Sequence, residues 1–181
     1  MLISRLLFRR RDNIILFHFS EDPNIKKFEP RKSSAFPDLP SVVWSIDKNN
    51  APLYFFPRDC PRIGYWPKLD SNTVDVQNFQ KSTNAEKVIT IESRWLQTIR
   101  GTKLYAYHFS SESFTCFDEE VGYYISTETI IPQQVEPVGD LIEHLVEAKV
   151  ELRITPSLFP LKNSLLSSTL HVSMIRMRNA K

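Results

Sequence analysis

Hydrophobic and polar positions change period several times along this chain. Ile14 to Phe19 is apolar throughout except for His18, the pattern of a central strand buried on both faces. Glu21-Asp-Pro-Asn then breaks the run, and a loop follows with two apolar anchors, Ile25 and Phe28. Pro23, Pro30, Pro37 and Pro40 exclude a long helix and predict extended backbone. Ser41 to Ile46 reads as a second strand, stopped by the turn formers Asp47, Asn49 and Asn50. Ala51 to Phe56 is apolar and fits a short helix or a strand equally well. Pro57 to Arg62 is too proline-dense for regular structure, and Lys68 to Lys87, polar and sparse in apolar residues, predicts an exposed loop.

The second half is more regular. Val88 to Ile91 predicts a strand, and Glu92 to Arg100 a helix presenting Trp95, Leu96 and Ile99, ended by Gly101. Lys103 to Phe109 and Gly122 to Ser126 are aromatic-rich strands, with an extended piece between Pro132 and Pro137. Val138 to Lys149 carries the clearest helical stripe (Val138, Leu141, Ile142, Leu145, Val146), with Asp140 in its first turn. Glu151 to Thr155 and Thr169 to Met177 close the chain as strands, the last with Leu170, Val172, Met174 and Arg176 in one row. The pattern predicts an α+β protein: strand-rich mixed sheets with few helices. A chain of 181 residues suits one domain over 13–181, preceded by a flexible basic extension over 1–12.

Composition narrows the classes. A net charge of +2 is too small to bind nucleic acid by bulk electrostatics, so nucleic acid is not favoured as a partner. The charge is unevenly spread, however. Glu112 to Glu151 holds ten acids and one base, whereas Leu152 to Lys181 holds five bases and no acid. Either the two segments neutralise each other, or Arg153, Arg176 and Arg178 line a basic cleft for phosphate groups. Cys60 and Cys116 form neither a metal spacing nor a secreted disulfide framework, which fits a cytoplasmic protein. The opening Met1 to Arg11 has its charges after a short, interrupted apolar run, unlike a signal, and no segment has the ~20 apolar residues of a membrane span.

The familiar catalytic motifs are missing. Only 4 glycines occur, which closes Rossmann and P-loop readings, and there is no nucleophile elbow or metal-binding spacing. Among His18, His108, His144 and His171, His18 stands out: it is central in its strand, with Ser20 two positions on and on the same face. Such a pair suits a ribose hydroxyl; a strand histidine satisfied within the core is the competing reading. The second unusual stretch is Tyr54-Phe-Phe-Pro-Arg58-Asp59-Cys60-Pro-Arg62. It reads either as a corner in which Asp59 orients Arg58 or Arg62, or as an anion site built from guanidinium forks. Cys60 between two arginines is expected to have a stabilised thiolate.

The order His18-Phe-Ser20, Ile25 and Phe28, Val43-Trp44-Ser45-Ile46-Asp47, Ala51 and Tyr54 resembles the first half of ADP-ribosyltransferase-like domains. Most of the chain from His18 onward, including Pro57 to Arg62 and the ending Ile175-Arg-Met-Arg-Asn-Ala180, also looks like an uncharacterised bacterial family of domains of unknown function. The first resemblance implies a cleft for NAD or a nucleotide-like phosphate. In it His18 would hold a ribose hydroxyl beside Ser20, Ser45 would line the wall, and Tyr54 would stack on nicotinamide. Arg58 and Arg62 would take phosphate. The family's catalytic glutamate has no secure counterpart; Glu128 and Glu151 are candidates by location, Glu151 preferred because it opens a core strand. Relatives acting on phosphorylated RNA ends imply another use of His18, with Arg58, Arg62 or Arg176. A non-catalytic binding or structural domain is the third expectation.

Overall fold

Ten strands and four α-helices follow one another in the computed structural model, which describes residues 14–181. In chain order they are β1 (Ile15–Ser20), β2 (Val43–Ile46), β3 (Arg62–Trp66), α1 (Thr73–Ser82), β4 (Lys87–Glu92), α2 (Leu96–Gly101) and β5 (Tyr105–Ser110). Then come β6 (Thr115–Asp118), β7 (Tyr123–Ser126), β8 (Gln134–Pro137), α3 (Leu141–Glu147), β9 (Val150–Thr155), α4 (Phe159–Leu165) and β10 (His171–Ile175). The protein is α+β and strand-rich. The proposed basic extension, 1–12, lies outside the described residues. The chain divides into two compact units, each assembled from two stretches: the first runs to Ala51 and resumes over Tyr105–Pro137; the second takes Pro52–Leu104 and Val138–Lys181.

The first unit is one six-stranded antiparallel sheet in the order β6-β7-β2-β1-β5-β8. β1 pairs with β5 without a break, from Ile15 opposite Ser110 to Ser20 opposite Tyr105. Its core holds Leu16, Val43, Tyr107, Phe109, Phe114, Tyr124 and Ile130. Ile25 and Phe28 pack against that core from the loop, as their apolar character requires. The Tyr107 hydroxyl fastens the same loop, donating to the Asp22 carbonyl at 2.5 Å and accepting from the Ile25 amide at 3.1 Å. β1 departs from the expectation of burial on both faces: of its six residues only Leu16 is closed off, and Ile15 is 54% exposed. It sits in an antiparallel sheet, whose strands need only one apolar face. Gly122 is required by its turn: φ is +68° and a Cβ would lie 2.5 Å from the Asp47 carboxylate.

The second unit is a four-stranded mixed sheet, β10-β3-β4-β9, in which only the β4–β9 pair is parallel. The registers align cross-strand rows: Met174, Ile63, Thr90 and Arg153 form one, and Val172, Tyr65, Val88 and Glu151 the next. Ile63, Tyr65 and Val88 join Phe79 of α1 with Leu158 and Leu165 around α4 in one buried cluster. Where the 3-10 turn Ala51–Tyr54 meets β3, Gly64 leaves room for Leu53; a Cβ there would come within 2.6 Å of the Leu53 side chain.

Several expectations are corrected here. Arg62 is not the end of an irregular loop but the first residue of β3. The stretch 68–87 contains α1, which buries only Phe79 and therefore shows no apolar stripe. Its start is set by Asn72, whose side chain accepts from the Asp75 amide at 2.8 Å and donates to the Asp75 carboxylate at 2.9 Å. α4 begins with Pro160 in its first turn, a position where proline helps a helix instead of breaking it. Gly101 does not stop α2: it is the last helical residue, its φ is not positive, and Thr102 is the cap. α3 starts at Leu141 with Asp140 as its cap, and Val146 is 69% exposed instead of continuing the stripe. Arg176 leaves the β10 row because it is left-handed, with φ 55°.

Candidate functional site

The sequence-predicted residues fall in both units. In the first unit, His18 Nδ1 lies 3.0 Å from the Trp44 carbonyl oxygen, so it carries the proton and donates. Its ring packs on Phe28, with centroids 4.8 Å apart, and near Phe109. The Ser20 hydroxyl accepts from the Asp22 amide, and buried Ser45 donates to the Tyr124 carbonyl. The Glu128 amide is held by the Ser126 hydroxyl, in the loop before Ile130.

In the second unit, Tyr54 faces the Arg62 guanidinium, 5.4 Å from its ring centroid. Arg62 is only 2% exposed and donates to the Leu53 carbonyl at 2.6 Å and the Cys60 carbonyl at 2.9 Å. It fastens the Pro57–Arg62 loop from inside. Asp59 is exposed, and its arginine neighbours are Arg176 at 3.9 Å and Arg178 at 4.0 Å. Arg176 also donates to the Arg58 carbonyl. Cys60 has no stabilised thiolate: burial pushes its thiol up to about 12, outweighing the nearby Arg62 charge. The C-terminal residues are fixed by a fully buried carboxylate, Glu92, which accepts from the Lys181 amide at 2.8 Å and Arg94 Nε at 2.8 Å.

One place in the second unit combines an opening with chemistry. A cleft of about 250 Å³ is lined by residues including Tyr65, Thr90, Arg153, Ser157 and Leu161. Glu151 and Arg153 are two apart on β9, so both side chains leave the same face, and Arg153 Nε meets the Glu151 carboxylate at 2.6 Å. Across β4, the Tyr65 hydroxyl accepts from Arg153 Nη1 at 2.8 Å, while Nη2 donates to the Ser82 carbonyl at 3.0 Å. The guanidinium is therefore held on three sides. Hydrogen bonding by Arg153, with help from Thr83, holds the Glu151 carboxyl below its ordinary range, and the same pairing raises Arg153. Paired in this way, the Glu151 carboxylate anchors Arg153. Burial raises the Tyr65 hydroxyl, which stays neutral.

Thr90, opposite Arg153 in the register, is 3% exposed, and its hydroxyl has no hydrogen-bond partner. Among the described residues only one other buried side-chain polar atom, Trp95 Nε1, shares that condition. A threonine between Ile89 and Ile91 is ordinary strand composition, so nothing in the sequence singles Thr90 out. Tyr65 and Ser157 were missed for the same reason. Arg153 was legible only as part of a basic segment.

The family model described as "Family of unknown function (DUF6886)" matches residues 17–180. The chain belongs to this family. The DUF6886 match spans both units and every residue of the Arg153 cleft. No curated protein and no solved structure matches the chain. Among the described residues there is no group of three or more His, Cys, Asp or Glu able to hold a metal ion, and no helix is long and apolar enough to cross a membrane.

Proposed function

We propose that this DUF6886 protein is a binding domain for a small phosphate-bearing molecule, seated in the Tyr65–Thr90–Arg153 cleft. The observation that carries the reading is the fixed guanidinium: Glu151, Tyr65 and Ser82 hold Arg153 at the wall of an open cleft. A guanidinium held in advance loses little side-chain entropy when an anion arrives, and the N–H left on Nη1, with the positive charge, is what it offers a phosphate oxygen. The Thr90 hydroxyl beside it is buried without a partner, a costly condition that an acceptor brought within its reach relieves. Glu151 takes part of the Arg153 charge, so inorganic phosphate alone is expected to bind near ~1 mM, about 4 kcal/mol.

A second reading, transfer of ADP-ribose from NAD in a cytoplasmic enzyme, rests on His18. His18 is central in β1, with Ser20 two positions on and on the same face, the pair that the resemblance assigns to a ribose hydroxyl. Calorimetric titration with inorganic phosphate and with NAD separates the two. Loss of both heats in Arg153→Met, and their survival in His18→Ala, supports the cleft. NAD binding that survives Arg153→Met and is lost in His18→Ala, with nicotinamide released by the wild type, supports the transferase. No heat with either ligand overturns both.

A further inference from the structure

A second opening shares part of its wall with the Arg153 cleft. It measures about 350 Å³, lies between α1 and α4, and has Tyr65 and Leu161 in common with that cleft. Its lining changes character: Asp75 and Asn78 come from α1, Ser164 and Ser167 from α4 and the turn after it, with Phe79 and Leu165 between them. Cations are absent from that lining. The Asn78 side chain is exposed on α1 and makes no hydrogen bond among the described residues, so its carboxamide has donors and an acceptor to offer. The Asp75 carboxylate already accepts from neutral donors: Thr169 gives it its amide and its hydroxyl, both at 2.7 Å, and these bonds hold its carboxyl below the ordinary range.

From this change of lining we infer that the ligand is a phosphorylated polyol bearing a single phosphate, its phosphate at Arg153 and its hydroxylated carbon skeleton in the α1–α4 groove. The inference rests on the binding reading given above and names the ligand class. Hydroxyls donate to Asp75 and exchange hydrogen bonds with Asn78 and the serines, while the C–H face of a sugar lies against Phe79 and Leu165. A second phosphate at the far end meets the ionised Asp75 without a counter-charge, and like charges at close range disfavour it. The α1–α4 opening by itself lies in the size range of small-molecule sites. A free sugar phosphate and the sugar-phosphate part of a nucleoside monophosphate share this chemistry.

The test is calorimetry on the full chain with inorganic phosphate, fructose monophosphate, adenosine monophosphate and fructose bisphosphate. Fructose monophosphate is expected to bind at least tenfold more tightly than inorganic phosphate, and the bisphosphate several-fold more weakly than the monophosphate. Asn78→Leu, at an exposed helix position, is expected to erase the tenfold gain. A gain with adenosine monophosphate alone identifies the nucleotide as the source; a gain with fructose monophosphate identifies the free sugar. Equal affinity for inorganic phosphate and both monophosphates, lost in Arg153→Met, overturns the inference and leaves the binding reading standing. No binding of any probe overturns both.

Discussion

The polar groups of the two units are used differently. In the first unit the Tyr107 hydroxyl makes two hydrogen bonds, and His18 and Ser45 each meet a backbone carbonyl. These groups hold a loop-covered aromatic core. In the second unit the sheet also buries polar side chains, yet beside the Arg153 cleft it leaves the Thr90 hydroxyl without a partner. Buried polar groups are normally satisfied, and the exceptions concentrate where a protein does something besides fold. The contrast teaches that residues conspicuous in the sequence also make structural hydrogen bonds, while an unpartnered buried hydroxyl sits among residues with ordinary neighbours.

The contrast sharpens most at Glu92, the buried carboxylate of the second unit that is fully partnered. Glu92→Ala strands Arg94 and the Lys181 amide and is expected to cost about 3–5 kcal/mol, read by urea denaturation. Retention of wild-type stability would mean that the C-terminal segment is not held from this point. In the first unit, Tyr107→Phe removes one hydroxyl from two bonds, for an expected loss of about 1–3 kcal/mol, with faster amide exchange at Ile25. An unchanged exchange rate there would show that packing of Ile25 and Phe28 alone holds the loop.

Smaller still is the acid response of the Glu151–Arg153 pair. The folded-state pKa of Glu151 is lowered, so its contribution is complete above the unfolded value of about 4.3 and disappears as pH falls through the folded value. The pair is about one-third exposed, so the effect should stay under ~1 kcal/mol. Comparing acid titrations of stability for wild type and Glu151→Gln checks the sign: the wild-type advantage shrinks below pH ~4.3. An advantage that grows on acidification contradicts the assignment.

Much of the fold was legible because period reports burial. β1, β2, β4 and β5 follow from apolar or aromatic-rich runs, and the α+β class follows from their mixture with α3. α1 and α4 were not legible as helices for definite reasons. α1 buries Phe79 alone and depends on the Asn72 cap, and Pro160 reads as punctuation until its place in the first turn is known. The candidate site was less legible. Arg153 was visible as one base among five, and Glu151 as a strand acid, but their pairing needs the β9 face and Tyr65 needs the β3–β4–β9 register. The arginines of the Pro57–Arg62 loop drew attention by composition, and Arg62 turns out to be an internal clamp on two carbonyls.

Thr90→Val bears most directly on the claim that this cleft is a binding site, because stability and binding should move in opposite directions. The substitution keeps the shape and removes a buried hydroxyl that has no partner. Melting of the wild type and the variant, with and without inorganic phosphate, reads both effects at once. The account predicts a gain of about 1 kcal/mol, or roughly 2–4 °C, without phosphate, and a phosphate-induced rise in melting temperature that is clearly smaller in the variant. A variant that melts lower than wild type, or one that gains the full rise from phosphate, contradicts it.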